Sequence, residues 1–198
     1  MKQAPRTVGF KAGERNVFMH VLTACNLNCA HCYINKEQHG NETLSKETMH
    51  DWIELFSSNE RKSNLILLGG EPTLHPDLPE AIRFAKSLNY TVTVDTNGYL
   101  FNDLLGKCTP DELDYLSFSI DGPDKETNDA IRGEGVLETC LDNISKVSDM
   151  GFTISVIYTV SSKNIHKLSG MVKLLEELKI KKFFIQVIGL RGNSALSE

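Results

Sequence analysis

Three of the five cysteines of the chain lie within eight residues, at Cys25, Cys29 and Cys32. This C-x3-C-x2-C spacing places three soft thiolate ligands on one short loop, which suits an iron–sulfur cluster or zinc. A structural zinc site takes four ligands, usually as separated pairs, but Cys108 and Cys140 are each isolated. A [4Fe–4S] cluster usually takes four cysteines, so three would leave one iron open to another ligand.

The composition limits the partners and the compartment of the protein. A net charge of −5 argues against a nucleic-acid-binding surface. No apolar run approaches the roughly 20 residues of a membrane span, and the first 16 residues lack the apolar core of a signal peptide. We therefore expect a cytoplasmic protein with reduced thiols, no nucleic-acid partner and no membrane partner. An odd number of cysteines also favours a metal site over a disulfide framework.

Apolar segments of strand length alternate with segments of helical spacing along the chain. The six predicted strands are residues 17–22, 65–68, 91–95, 115–120, 153–160 and 183–188. Such repeats imply right-handed crossovers and a parallel sheet. A closed eight-stranded barrel usually needs about 250 residues, so we predict an α/β fold, a partial (β/α)6 TIM-like barrel with parallel strands. A flat doubly wound sheet is the alternative. We assign residues 1–16 to an N-terminal arm and residues 17–198 to one core domain.

The segments between the strands carry apolar stripes at i, i+3, i+4 and i+7, which predict one buried face on each helix. Ser45 is the predicted N-cap of the first helix, and Gly151 is predicted to follow the end of a later one. The stripes include Met49, Trp52, Ile53 and Phe56; Val136, Cys140, Ile144 and Val147; and Ile165, Leu168, Val172 and Leu175. Cys140 therefore reads as a small core hydrophobe.

Polar and glycine-rich sequence follows most of the predicted strands. In both architectures ligands bind at the carboxyl ends of the strands, so these residues should meet at one rim and favour an enzyme over a scaffold. They are Cys25, Cys29 and Cys32 after the first strand, Gly69, Gly70 and Glu71 after the second, Asn97 after the third, Ser119 and Asp121 after the fourth, and Leu190 after the sixth.

The motifs CNLNCAHCY, GGEP, TNG and SIDGP occur in this order and resemble the radical S-adenosylmethionine (radical SAM) superfamily, in particular its branch with SPASM or twitch extensions. The resemblance spans roughly residues 17–190. It implies that the three cysteines hold a [4Fe–4S] cluster whose fourth iron binds S-adenosylmethionine. The cluster would reductively cleave S-adenosylmethionine to a 5′-deoxyadenosyl radical, which abstracts a substrate hydrogen. That branch carries a cysteine-rich C-terminal extension, whereas no cysteine follows Cys140 here.

The resemblance also implies which residues contact S-adenosylmethionine. His31 would lie beside the adenine, although a solvent-facing histidine and an extra metal ligand are alternatives. The Gly69 to Glu71 segment would bind the methionine amino group, and the alternative is that Glu71 caps the next helix. Asn97 would shape the pocket or only form a turn, and Leu190 would pack on the adenine.

Three further polar residues are implied around the ribose and the methionine portion. Ser119 and Asp121 would accept hydrogen bonds from ribose hydroxyls, although Asp121 could instead cap the following turn. Arg132 would bind the methionine carboxylate as a bidentate donor. Its alternative is a surface ion pair with Glu134 or Asp129.

We therefore expect a radical SAM enzyme that receives electrons from a flavodoxin- or ferredoxin-type donor. Modification of a peptide or protein is the preferred reaction class, with cofactor biosynthesis also open. A non-catalytic binding module held by zinc or a cluster is one alternative, and an activase of a glycyl-radical enzyme is another. No catalytic acid or base is assigned, because Asp95 and Tyr99 lie near the rim without a feature that singles them out.

Overall fold

The structure, a computed structural model, describes residues 13–35, 37–57 and 63–197. Most of the predicted N-terminal arm, residues 1–12, lies outside these ranges. The first strand begins at Arg15, two residues before its predicted start. None of the described helices is long and apolar enough to cross a membrane.

Six parallel strands form one sheet in the order of the chain, from β1 at one edge to β6 at the other. Helices separate the strands, and the sheet curls into a half-barrel, which confirms the predicted partial (β/α)6 architecture. Every predicted strand lies within two residues of its observed bounds at each end. The strands are β1 Arg15–Leu22, β2 Ser63–Gly69, β3 Thr91–Thr96, β4 Tyr115–Ser119, β5 Ile154–Val160 and β6 Phe183–Val187.

The helices occupy the segments between and after the strands. Ser45 accepts a hydrogen bond from the Thr48 backbone nitrogen at the start of the first helix, as predicted. Gly151 follows the longest helix with a φ of 89°, a conformation that glycine adopts without strain. The helices are α1 Lys46–Leu55, α2 Leu78–Ser87, α3 Leu104–Lys107, α4 Lys125–Arg132, α5 Val136–Asp149, α6 Leu168–Glu177 and α7 Ser194–Ser197, with 3-10 turns at Pro72–Leu74 and Ile165–Lys167.

The core lies between the outer face of the sheet and the helices. The outward side chains of β2, β3 and β4 are fully buried: Leu65, Leu67, Val92, Val94, Leu116 and Phe118. The predicted stripe of α5 is buried throughout, including Cys140. Burial of this apolar surface is the main force that holds the helices against the sheet.

The predicted stripes of α1 and α6 are only half correct. In α1, Met49 and Ile53 are buried, whereas Trp52 is 43% exposed. In α6 the buried residues are Met171 and Leu175, not Val172. These two helices accompany the edge strands β1 and β6, so each has a neighbouring helix on one side only and buries a narrower face.

Candidate functional site

The cysteine loop follows β1 at the carboxyl rim, and its three thiols are partly buried. Cys25 is held from two sides: the Leu27 backbone nitrogen donates to its Sγ at 3.4 Å, and Asn97 Nδ2 donates at 3.6 Å. Asn97 Nδ2 also donates to Asn26 Oδ1 at 2.7 Å. The end of β3 therefore fixes the first part of the loop.

The second cysteine packs against the end of α4. The Ala30 backbone nitrogen donates to Ile131 O at 2.8 Å, and the Cys29 thiol lies 3.9 Å from Arg132 O. Burial raises the pKa of Cys29 to about 11, although the Arg132 guanidinium opposes the shift. A thiolate here therefore needs a cationic partner such as a metal to neutralise it.

The three thiols of the cysteine loop interact electrostatically with one another. Cys25 and Cys32 each add to the electrostatic penalty on the Cys29 thiolate, so the thiols share one region of space. Within the described ranges, no three His, Cys, Asp or Glu side chains converge closely enough to bind one ion. A [4Fe–4S] cluster places each thiolate on a different iron, and three neighbouring thiols supply three such ligands. These residues fit the group that the cysteine spacing implies.

The glycine pair after β2 allows close approach to the chain that leads into the cysteine loop. A Cβ at Gly70 would lie 2.1 Å from Ala24 O, and one at Gly69 would lie 2.3 Å from Leu22 O. The backbone nitrogens of Gly70 and Glu71 donate to Leu22 O and Ala24 O at 2.9 and 2.8 Å. Larger residues would push the second strand end away from the cysteine loop.

The Glu71 carboxylate points into the protein and is fully buried. Its Oε1 accepts from the Thr73 backbone and hydroxyl at 3.1 and 2.7 Å and from Thr96 Oγ1 at 2.9 Å. Its Oε2 accepts from the Asn97 backbone nitrogen at 2.7 Å. This is the capping alternative from the sequence, extended to β3: Glu71 joins two strand ends. The predicted contact of this segment with a methionine amino group stays a prediction, and the Glu71 carboxylate already accepts four hydrogen bonds within the protein.

Asp121, His31 and Arg132 form a buried polar triad at the end of β4. His31 Nε2 lies 2.8 Å from Asp121 Oδ2, and Arg132 NH2 lies 2.6 Å from the same oxygen. Asp121 Oδ1 accepts from the Thr159 backbone nitrogen at 2.7 Å, so the carboxylate also joins β4 to β5. Although burial alone would raise it, Arg132 and His31 hold the pKa of Asp121 below its usual value.

The triad decides between several alternatives. His31 is not solvent-facing, because its side chain is only 11% exposed. Arg132 is not a surface residue paired with Glu134 or Asp129, because it is 7% exposed and pairs with Asp121. Asp129 instead accepts from the backbone nitrogens of Gly135 and Leu137.

Two other predicted contact residues lie at the rim in different settings. Ser119 ends β4 and is partly buried, on the strand that leads directly to the triad. Leu190 lies beyond β6 and is 72% exposed. The structure therefore brings together the residues after β1 to β4, whereas the Leu190 side chain is mostly exposed to solvent.

Three buried nitrogens around the cysteine loop have no hydrogen-bond partner among the described residues. They are Asn26 Nδ2, His31 Nδ1 and Arg132 Nε. A buried polar atom without a partner is costly in free energy, and such atoms are rare in folded proteins. A polar ligand beside the three thiols would give these nitrogens partners.

Sequence reasoning missed residues after β6 that contact the cysteine loop. The Asn193 backbone nitrogen donates to Cys32 O at 2.8 Å, and its Nδ2 donates to Cys29 O at 3.3 Å. No local motif could indicate a contact across so long a stretch of sequence. Asn26 was missed as well, although its position between the first two cysteines was a signal.

Asp95 lies on the inner face of the half-barrel and is paired in register with Ser117 of β4. Burial raises the pKa of Asp95 to about 7, while a hydrogen bond with Ser117 opposes the shift and the Glu71 charge adds to it. A carboxyl group that titrates near neutral pH beside a candidate ligand site can take up or release protons.

Comparison with known proteins identifies the family. The family model described as "Radical SAM superfamily" matches residues 19–187, from β1 to the end of β6. The chain belongs to the radical SAM superfamily. The resemblance predicted from the motifs is therefore confirmed, and members of this superfamily are enzymes that use an iron–sulfur cluster and S-adenosylmethionine.

Curated relatives cover most of the chain. It is 30% identical over 190 residues to the Fe-coproporphyrin III synthase of Methanosarcina barkeri, covering 92% of the chain and 46% of the relative. It is 33% identical over 183 residues to the AdoMet-dependent heme synthase of the same organism, covering 90% and 49%. A probable GTP 3′,8-cyclase of Saccharolobus solfataricus is 30% identical over 167 residues, covering 82% and 53%. The chain thus spans about half the length of the curated relatives it matches.

Solved structures share the radical SAM fold at low sequence identity. SuiB of Streptococcus suis bound to S-adenosylmethionine has a TM-score of 0.70 at 17% identity, covering 88% of this chain and 40% of that one. The protein anSMEcpe with bound AdoMet and the Kp18Cys peptide has a TM-score of 0.74 at 16% identity, covering 89% and 52%. At these identities the likeness shows the fold.

Proposed function

We propose that this chain is the core of a radical SAM enzyme in which Cys25, Cys29 and Cys32 hold three irons of a [4Fe–4S] cluster. S-adenosylmethionine, bound at the fourth iron, would be cleaved reductively to supply a 5′-deoxyadenosyl radical for hydrogen abstraction from the substrate. The cofactors carry this radical chemistry, while the protein supplies binding, orientation and electrostatics.

The single observation that carries the proposal is the set of partnerless buried nitrogens beside the three thiols. Arg132 is held by Asp121 through one terminal nitrogen, which leaves Nε to donate to an acceptor such as a carboxylate. His31 is oriented by Asp121 in the same way, which leaves Nδ1 for a ligand. Asp121 therefore orients both side chains, and we propose it as a positioning residue that does not touch the ligand.

The remaining predicted contacts have distinct roles in this proposal. Gly69 and Gly70 allow the β2 end to approach the cysteine loop, and their backbone oxygens suit a cationic amine. Ser119 would offer its hydroxyl to ribose hydroxyls. Asn97 would position Cys25 and Asn26. Leu190, in the segment after β6, would pack on the adenine.

Anaerobic reconstitution with iron and sulfide tests the cluster and its ligands. The wild-type protein should bind about four irons and show the absorption shoulder of thiolate-ligated iron. After reduction it should convert S-adenosylmethionine to 5′-deoxyadenosine. Cys29→Ala should abolish both the cluster and the cleavage. Cys108→Ala is the matched control, because Cys108 is a buried cysteine that belongs to the core behind α3.

Two outcomes would overturn this function. Colourless protein that retains zinc and leaves S-adenosylmethionine intact would make the chain a zinc-stabilised binding module. Cleavage that survives Cys29→Ala would show that the ligand assignment is wrong.

For the substrate, we propose cofactor biosynthesis or peptide modification, and sequence similarity gives more weight to the first. The two Methanosarcina relatives at 30% and 33% identity carry tetrapyrrole-related names. The peptide-bound anSMEcpe structure is only 16% identical. Iron coproporphyrin III and a cysteine-containing peptide can be compared by measuring which one increases 5′-deoxyadenosine formation.

A flavodoxin- or ferredoxin-type protein is the proposed electron donor. This can be tested by replacing dithionite with reduced flavodoxin as the source of electrons.

A further inference from the structure

The segment after β6, residues 189–193, crosses from one edge of the half-barrel to the cysteine loop at the other. Strand β6 lies at the edge of the sheet opposite β1, yet Asn193 binds the backbone of both Cys29 and Cys32. We call residues 189–193 the closing segment. It connects the two ends of the rim, which the sheet itself leaves apart.

Gly192 is the point of closest approach between the closing segment and the cysteine loop. It has a φ of 60°, and a Cβ there would lie 2.5 Å from Tyr33 O and 2.6 Å from Cys32 O. Any other residue would therefore be strained in its backbone and would collide with backbone oxygens that cannot move without shifting the loop. Glycine is therefore the residue that fits at position 192.

Side chains on both sides of Gly192 hold the closing segment in place. The Arg191 guanidinium lies 5.0 Å from the centre of the Tyr33 ring, within the range of a cation–π interaction. The Ser194 hydroxyl is fully buried and accepts from the Arg191 backbone nitrogen at 3.0 Å. Asn193 is thereby presented to the loop in one orientation.

We infer that Gly192 and Asn193 are positioning residues that fix Cys29 and Cys32 for cluster binding. This inference rests on the proposed function, because it takes the three cysteines as cluster ligands. Asn97 holds the first cysteine, the end of α4 holds the second, and the closing segment holds the backbone of the second and third. Partners outside the ligand set that orient metal ligands affect metal affinity strongly.

The first test uses the metal-free protein and so does not depend on the cluster. A cavity of about 280 Å³ opens beside Cys32 and Asn193, which gives a small alkylating reagent access to the thiol. Alkylation of each cysteine by iodoacetamide would be followed by mass spectrometry. Gly192→Ala should speed alkylation of Cys29 and Cys32 several-fold because the loop opens more often, while Cys108 should react as in wild type.

Gly189→Ala is the matched control in the same segment. A Cβ at Gly189 meets nothing within 4 Å, so this substitution should leave the alkylation rates unchanged. Asn193→Asp is the second variant: it removes the donor to Cys29 O without crowding and should give a smaller change in the same direction. If Gly192→Ala and Gly189→Ala alkylate at the same rates, the closing segment does not position the loop and the inference is wrong.

The second test measures iron retention by the reconstituted protein. Loss of iron to a chelator should be roughly 10-fold faster in Gly192→Ala than in wild type, in line with other partners of metal ligands, and unchanged in Gly189→Ala. Equal retention in all variants would overturn the inference while leaving the cluster in place. Absence of iron binding in wild type would instead overturn the proposed function, with the alkylation test still deciding whether the segment holds the loop.

Discussion

Glu71 and Asp121 are two carboxylates at the same rim with opposite electrostatics. Both are fully buried, and each joins neighbouring strand ends through hydrogen bonds. Burial raises the pKa of Glu71, with hydrogen bonds from Asn97 and Thr73 only partly opposing the shift. Against the same burial, the Arg132 and His31 charges lower the pKa of Asp121.

The difference shows what a buried cation adds to a carboxylate that joins two strand ends. Glu71 accepts from neutral donors only, which is enough to hold the backbone of β3. Asp121 instead holds the side chains of Arg132 and His31. The remaining nitrogens of these two side chains border the cysteine loop. The pH dependence is also opposite: Glu71 contributes stability that is lost as pH rises through its folded-state pKa, whereas Asp121 contributes stability that is lost as pH falls through its own.

Among the substitutions that test this comparison, removal of the Arg132 cation should have the largest effect on the stability of the fold. Arg132→Met should destabilise the fold by about 3–5 kcal/mol, because it leaves the Asp121 charge buried without its main partner. Urea unfolding at pH 7 measures the loss. Arg83→Met is the control, since Arg83 is 48% exposed and 3.6 Å from Glu112, and a surface pair is worth about 0–1 kcal/mol. Similar losses in both variants would contradict a buried ion pair.

Asp95 extends the comparison to a carboxyl group without a cation. Its pKa rises from 3.8 to about 7 on folding, so the folded state binds the extra proton and stability falls as pH rises between these values. Asp95→Asn should remove this decline, on the order of 2 kcal/mol in total after allowing for partial exposure. Thermal unfolding from pH 4 to 8 measures it.

Asp124 provides the matched control for that pH profile. A hydrogen bond from Lys167 lowers the pKa of Asp124 to about 2, so its contribution to stability is lost only as pH falls below 3.8. Asp124→Asn should therefore leave the slope between pH 4 and 7 as in wild type. If both variants have the wild-type slope, Asp95 does not titrate in that range.

Neutralising Glu71 should have the smallest effect. Glu71→Gln supplies one acceptor oxygen where the carboxylate supplies two, so the Asn97 backbone nitrogen or the Thr73 donors lose a partner at a cost of about 1 kcal/mol. Urea unfolding at pH 7 measures this cost. Glu80→Gln is the control, because Glu80 is 45% exposed in its pair with Lys46. A loss as large as that of Arg132→Met would remove the distinction between the two carboxylates.

Much of the fold was predictable because its signals are local. Parallel strands that are buried on both faces appear in the sequence as runs of apolar residues. All six strands were therefore predicted to within two residues at each end. The buried faces of α1 and α6, the helices beside the edge strands, were not predicted correctly. The burial of Trp52 or Val172 depends on whether a neighbouring helix exists. The candidate site shows the same division: the cysteines and the strand-end residues were predicted, whereas the hydrogen bonds of Glu71 to the end of β3 were not.

The sequence by itself determined the cysteine spacing, the glycine pair and the order of β and α segments, and with them the superfamily. The tertiary structure alone decided which groups meet: Arg132 with Asp121, Glu71 with the end of β3, and Asn193 with the cysteine loop. The physical reason is that spacing within one loop or strand is fixed by covalent geometry. Contacts between distant strand ends depend on how far the sheet curls, and that curl comes from the packing of the whole domain.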